Sequence, residues 1–233
     1  MGKRQCYLCG AVHDLTREHI PPKGLFPEPR PSDLITVPCC AKCNHANHKA
    51  DERFRLFVSS AFNRNAAGTT IWSKKVLERT IKKGRQRPFV GQMLRSATMI
   101  RRNGPYGLLS APYVIVPQAE ITPTLVRVAK GLLYTHFPKV PRNHLRFDVR
   151  QIDQLHLNDI IPNIVGPLRY GERGGGVFRY WGNVIPDAPD AGVWVLLFYD
   201  ASGFAVFHQH EKRTSQLDDF NQLMRSSAEG MKS

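Results

Sequence analysis

The chain has 233 residues, 42% of them apolar, with 33 Lys and Arg against 19 Asp and Glu. That size and apolar share allow one large domain, or a small module beside one, with a real core. No run of about eighteen apolar residues occurs, which excludes a membrane-spanning helix on length. The start, MGKRQCYLCG, is basic but has no apolar stretch, so it does not read as a secretory signal.

The net charge of +14 is uneven: residues 1–110 carry +13 and residues 111–233 only +1. Such a field suits a polyanion, through phosphate neutralisation and counterion release. Four of the five cysteines form two Cys-x-x-Cys pairs, Cys6/Cys9 and Cys40/Cys43. Each pair makes a tight knuckle, and two knuckles offer four soft ligands for a tetrahedral Zn²⁺. A reducing cytoplasm that keeps thiolates free for zinc fits this pattern better than a disulfide framework does.

In chain order, Gly10–Thr16 joins the first knuckle to a short strand, Leu15 to Ile20, which Pro21-Pro22 ends. His13 falls in the turn and reads as a surface histidine. The strand carries Glu18-His19, whose adjacent side chains point to opposite faces of a regular strand. A proline-rich loop follows, with Lys23 and Arg30 as candidate phosphate contacts. Leu34–Pro38 returns as the second hairpin strand and lands on Cys39-Cys40. The spacing selects Cys40 and Cys43 as ligands and leaves Cys39 as a small buried hydrophobe.

From Asn44 the pattern turns helical: Ala46, Ala50, Phe54, Phe57, Val58 and Ala61 recur at three- and four-residue steps, with Asp51, Glu52, Arg53 and Arg55 expected outside. On such a helix His48 shares a face with Asn44, whereas His45 points away. Lys49 adds a candidate phosphate contact. Ile71–Lys83 reads as a second helix, with Ile71, Val76, Leu77 and Ile81 inward and Lys74, Lys75, Arg79, Lys82 and Lys83 outward. Phe89–Arg102 reads as a third. These basic helices suit a clamp on a nucleic-acid backbone, with a solvated basic surface as the plainer reading.

The character changes at Tyr106. Leu108–Val116 and Leu145–Ile152 are strand candidates, Thr122–His136 a helix, and Pro162–Gly176 a loop whose three glycines make a turn. Val177–Ile185, Val193–Tyr199 and Phe204–His208 read as three strands, the last two joined by a hairpin turn. His208 and His210 read as exposed strand-end histidines, and the tail from Lys212 as a loose polar end.

The N-terminal set (Cys6, Cys9, Glu18-His19-Ile20 with Pro22-Lys23, then Cys40, Cys43 and Asn44) resembles the HNH nucleases, the ββα-metal group, in their zinc-stapled endonuclease VII-like form. The resemblance covers about the first quarter of the chain. It implies a β-hairpin and helix, a catalytic metal between them, and a distorted strand end, which Pro21-Pro22 would impose here, that brings Glu18 and His19 to one site. Glu18 stands where the family usually has Asp, and Asp33 falls near its middle Asn, where it would orient the backbone. His19 is the residue suited to take a proton from water, and Glu18 and Asn44 offer hard oxygens to one Mg²⁺ or Mn²⁺ ion, with His48 a further candidate.

The expectation is therefore an α+β protein: a zinc-stapled ββα module over 1–66, a basic helical segment over 67–104, and a mixed domain with an antiparallel strand meander over 105–233. Its expected function is metal-dependent phosphodiester hydrolysis on nucleic acid, with double-stranded DNA named first as partner. The catalytic set is His19, Glu18, Asn44 and Asp33, and Lys23, Arg30, Lys49, Lys74, Lys75, Lys82 and Lys83 are the nucleic-acid contacts. The alternatives are a zinc-stapled binder that does not cut and a structural adaptor. A protein partner or self-association through the C-terminal domain stays open.

Overall fold

The computed structural model describes residues 4–84, 86–104, 107–114, 118–140, 142, 144–152, 161 and 168–211. Strands β1 (Leu15–Ile20) and β2 (Ile35–Cys40) pair antiparallel from Leu15 opposite Cys40 to Ile20 opposite Ile35. The register has no bulge, so the alternation of the pleat holds along the whole of β1. Two short helices follow, α1 (Ala41–His45) and α2 (His48–Ser59). The expected single helix from Asn44 is thus broken at Ala46-Asn47, where the Asn47 side-chain amide turns back to donate to Cys43 O at 2.9 Å. His48 opens the second helix, so the four-residue step that placed it on Asn44's face does not apply.

Helix α3 (Ala66–Ile71) starts at Asn65, whose side chain accepts from Gly68 N, and runs on into a π-helix (Trp72–Ile81). Its wider i→i+5 turn, visible as Lys82 N donating to Leu77 O at 3.1 Å, changes which residues face inward. Val76 and Thr80 are buried, whereas Leu77, expected inside, is exposed. Helix α4 (Arg87–Ser96) is shorter than the expected Phe89–Arg102, because its last residues belong to a strand. That strand, β3 (Ala97–Gly104), pairs antiparallel with β4 (Gly107–Val114) as a separate two-stranded ribbon.

Helix α5 (Gln118–His136) precedes a five-stranded antiparallel sheet ordered β5-β9-β8-β7-β6. Its strands are β5 (Leu145–Ile152), β6 (Arg169–Arg173), β7 (Phe178–Ile185), β8 (Ala188–Phe198) and β9 (Ser202–His210). Consecutive strands β6 to β9 form the meander, and β5 adds to β9 at the far edge. Arg169–Arg173, expected as loop, is an edge strand. The three glycines do make a turn, each with positive φ (68°, 56° and 81°), a conformation glycine adopts without strain. The tail from Lys212 lies outside the described residues.

One apolar cluster joins both ends of the chain, from Cys6 and Tyr7 through Phe54 and Leu132 to Phe204 and Val206. Helix α5 reaches it so closely that a Cβ at Gly131 would sit 2.5 Å from Ile20 Cγ1 of β1. The Tyr199 hydroxyl donates to Leu25 O at 2.6 Å, tying the sheet to the hairpin loop. Helix α2 lies between these bodies and is covered on more than its apolar face. Asp51, Glu52, Arg53 and Arg55, expected outside, all have internal partners: Asp51 with Arg127, Glu52 with Gln86 and Thr80, Arg53 with Glu120, Arg55 with Glu52. His208, expected exposed, is buried at 1% and stacked on Phe147.

Candidate metal centre and hairpin site

The first knuckle is fixed by its own backbone. Cys6 N donates to Ala11 O at 2.7 Å and Gly10 N to Cys6 O at 2.9 Å, with Gly10 at φ +77° turning the chain back. Tyr7 N donates to Pro38 O at 2.9 Å, which sets this knuckle against the end of β2, where the second one begins. The sulfurs of Cys6, Cys9, Cys40 and Cys43 all lie within 4.8 Å of one another, with Cys9 and Cys40 at 3.7 Å. A tetrahedral zinc with Zn–S bonds of ~2.3 Å needs sulfur–sulfur edges of roughly 3.8 Å, so the donor set fits a structural zinc.

The thiols differ in acidity. Burial works to raise Cys6, but backbone amides of Cys40, Cys9 and Leu8 outweigh it and lower the group to about 6. Burial and the neighbouring sulfurs push Cys43 up to about 12. A metal ion would displace protons from such a set, which makes its binding pH-dependent. Cys39 stays outside the four-sulfur group. It is fully buried with its sulfur 4.0 Å from that of Cys6, and burial raises its pKa, as suits an inert packed thiol.

The hairpin places Glu18 and His19 on opposite faces. Glu18 is 4% exposed and points at α5, where Arg127 Nη2 donates to its Oε1 in a buried ion pair. The other terminal nitrogen, Nη1, donates to Asp51 Oδ1 at 2.9 Å, and Thr124 Oγ1 donates to the same oxygen at 3.1 Å. Burial pushes Asp51 up to about 6. Asn44 Nδ2 donates to Thr16 Oγ1 at 3.0 Å, and Thr16 alternates with Glu18 onto one face. Asn44 therefore stands on the Glu18 side, and His19 on the other. His19 is half-buried, with its pKa lowered by burial and then by Lys23, Arg30 and Arg17.

The remaining candidates scatter. Asp33 is exposed in the hairpin loop, 3.7 Å from Arg173 Nε. His48 meets His45, Nε2 to Nδ1 at 3.3 Å, on the exposed side of the α1–α2 break. Arg30 pairs with Glu28 at 2.5 Å. Lys75, expected outward, turns in and donates to Phe26 O at 2.9 Å and Gly24 O at 3.3 Å, and burial lowers it to about 8. Lys23, Lys49, Lys74, Lys82 and Lys83 are exposed. Sequence reasoning missed Arg17, Asp51 and Arg127. Arg17 was findable, being two residues from His19 on the same strand face, whereas nothing near residue 18 announces a partner at 127.

A divalent ion on Glu18 and Asn44 does not fit this arrangement. One oxygen of the carboxylate is already held by a guanidinium inside the protein, the other is buried away from water, and His19 faces away from both. Among the described residues the four cysteines are the one group of three or more metal-ligating side chains gathered at a point, and no helix is long and apolar enough to cross a membrane. No protein-family model, curated protein or solved structure matches the chain. The chain is thus an α+β protein with a four-cysteine cluster able to hold a metal such as zinc, beneath a hairpin bearing a half-buried histidine among cations.

Proposed function

We propose that the chain is a zinc-stapled nuclease with the hairpin-and-helix layout of the HNH family, departing from it in holding no divalent ion on Glu18, that hydrolyses phosphodiester bonds in nucleic acid, with DNA as the substrate class and His19 as general base. The observation that carries this is the setting of His19. Arg17, Lys23 and Arg30 surround an imidazole whose pKa lies below its ordinary value, so the ring is neutral and able to accept a proton at neutral pH. The same cations suit the charge on a scissile phosphate and its neighbours. The zinc holds the hairpin end and the start of α1 in register, a folding role that leaves the chemistry to the opposite strand face.

A second reading is a zinc-stapled nucleic-acid binder that does not cut. It is favoured by one observation, the commitment of Glu18 to Arg127, which leaves His19 without a carboxylate on its own face. Nicking of supercoiled plasmid separates the two. We expect the wild type to cut and His19→Ala to lose at least tenfold in rate with zinc content and nucleic-acid affinity retained. No cutting by either protein would assign the chain to the binders, and equal cutting by both would remove His19 as the base.

A further inference from the structure

The ion pair at Glu18 joins three elements through one side chain. Arg127 of α5 is 8% exposed, Glu18 of β1 4% and Asp51 of α2 20%. The guanidinium spans the two carboxylates with its two terminal nitrogens, and the hydroxyl of Tyr7 from the first zinc knuckle lies near it. Each contact comes from a different part of the chain, so the charge sits where hairpin, central helix and C-terminal body converge.

We propose that Arg127 is the resident cation of the Glu18–Asp51 pair, and that this chain uses Glu18 to fasten the hairpin to α2 and α5 instead of holding a divalent ion. A divalent ion has to approach a carboxylate to ~2.0–2.6 Å and bring several further oxygens with it. The Arg127 nitrogen already holds Glu18 Oε1, and Glu18 Oε2, though it has no hydrogen-bond partner, is buried away from water. Putting an ion there means expelling a guanidinium that also satisfies Asp51, which would leave a second charge buried without its partner. The inference deepens the proposed nuclease reading but is read without substrate, so the two fail separately.

The test is Mn²⁺ binding to the zinc-loaded full-length protein, followed by electron paramagnetic resonance. Wild type and Glu18→Gln should give the same isotherm, with no site tighter than about 1 mM. A wild-type site in the micromolar range that Glu18→Gln weakens tenfold or more overturns the proposal. Since Glu18→Gln removes a buried partner and its fold is at risk, a second measurement uses unaltered protein. Paramagnetic broadening by Mn²⁺ should spare the amides of residues 16–20 and the Arg127 side-chain Nε–H. Selective loss of those signals at substoichiometric Mn²⁺ places the ion at Glu18 and overturns the proposal as well.

Discussion

At the residue scale the protein turns on two neighbours with opposite fates. Glu18 and His19 are adjacent, and an unbroken strand sends one inward and the other to a cationic face. The alternation was legible in the sequence, but the distorted strand end expected to bring both residues to one site is absent, because β1 pairs with β2 without a bulge as far as Ile20. The destination of Glu18 was not legible, because its partner lies 109 residues away and periodicity says nothing about which helix will cover a strand. Removing one member of a buried pair strands the other, so Arg127→Ala should cost about 3–5 kcal/mol in chemical denaturation. The double variant Arg127→Met/Glu18→Leu should cost less than the single one, and a double variant worse than the single would contradict the pair's role.

Asp51 makes a separate, pH-dependent prediction from the same cluster. Its pKa rises from 3.8 to about 6 on burial, so between those values the folded state holds a proton that the unfolded state has released. Stability should therefore fall as pH rises through that window, and the slope should flatten in Asp51→Asn. Denaturation midpoints measured across the window check it, and an unchanged slope in the variant would remove Asp51 as its source.

At the scale of elements, the zinc module was read from local spacing and the helices from apolar periodicity, and the two readings fared differently. Cys-x-x-Cys spacing fixes sulfur positions within a few residues, which is why Cys6, Cys9, Cys40 and Cys43 come together and Cys39 packs apart. The π-turn after Ile71 shifts the register of the basic helix, so Thr80 is buried and Leu77 is not. A 3.6-residue period cannot foresee that shift. The strand expected at Leu145–Ile152 is present because its sequence alternates apolar and polar residues from Leu145 to Arg150, whereas β6 is short and polar and carries no such pattern. The cysteine assignment predicts about one tightly held zinc per chain. Cys43→Ser should lose it and Cys39→Ser should keep it, as read by metal analysis after gel filtration. Equal loss in both would reassign the spare cysteine.

For the whole molecule, charge and core follow different divisions of the chain. The basic excess sits in residues 1–110, yet a single apolar cluster runs from Cys6 to Val206 and packs the hairpin against α5 and the sheet. A basic first half over a shared core suits the proposed nuclease, which would present that half to a polyanion and brace it with the second. Affinity for nucleic acid should then fall steeply with salt. Charge removal at Lys74, Lys82 and Lys83 together should flatten that slope by about 2–3 units of log K per log salt if all three meet phosphates. Lys75→Gln should behave otherwise. Its ammonium holds the carbonyls of Gly24 and Phe26, so its loss should appear in thermal stability before it appears in salt dependence. A salt slope unchanged by the triple variant would take the π-helix out of the interface.

The central claim, that His19 moves a proton during phosphodiester cleavage, is met most directly by single-turnover cleavage of a plasmid between about pH 5 and 8. Burial and the cations Lys23, Arg30 and Arg17 hold the His19 pKa below 6.5, and a base works only when deprotonated. The wild-type rate should rise with pH, pass its midpoint below 6.5 and stay level through neutrality, while His19→Ala should be slow and lack that inflection. A wild type that does not cut, or a His19→Ala protein that cuts with the same pH profile, would contradict the account.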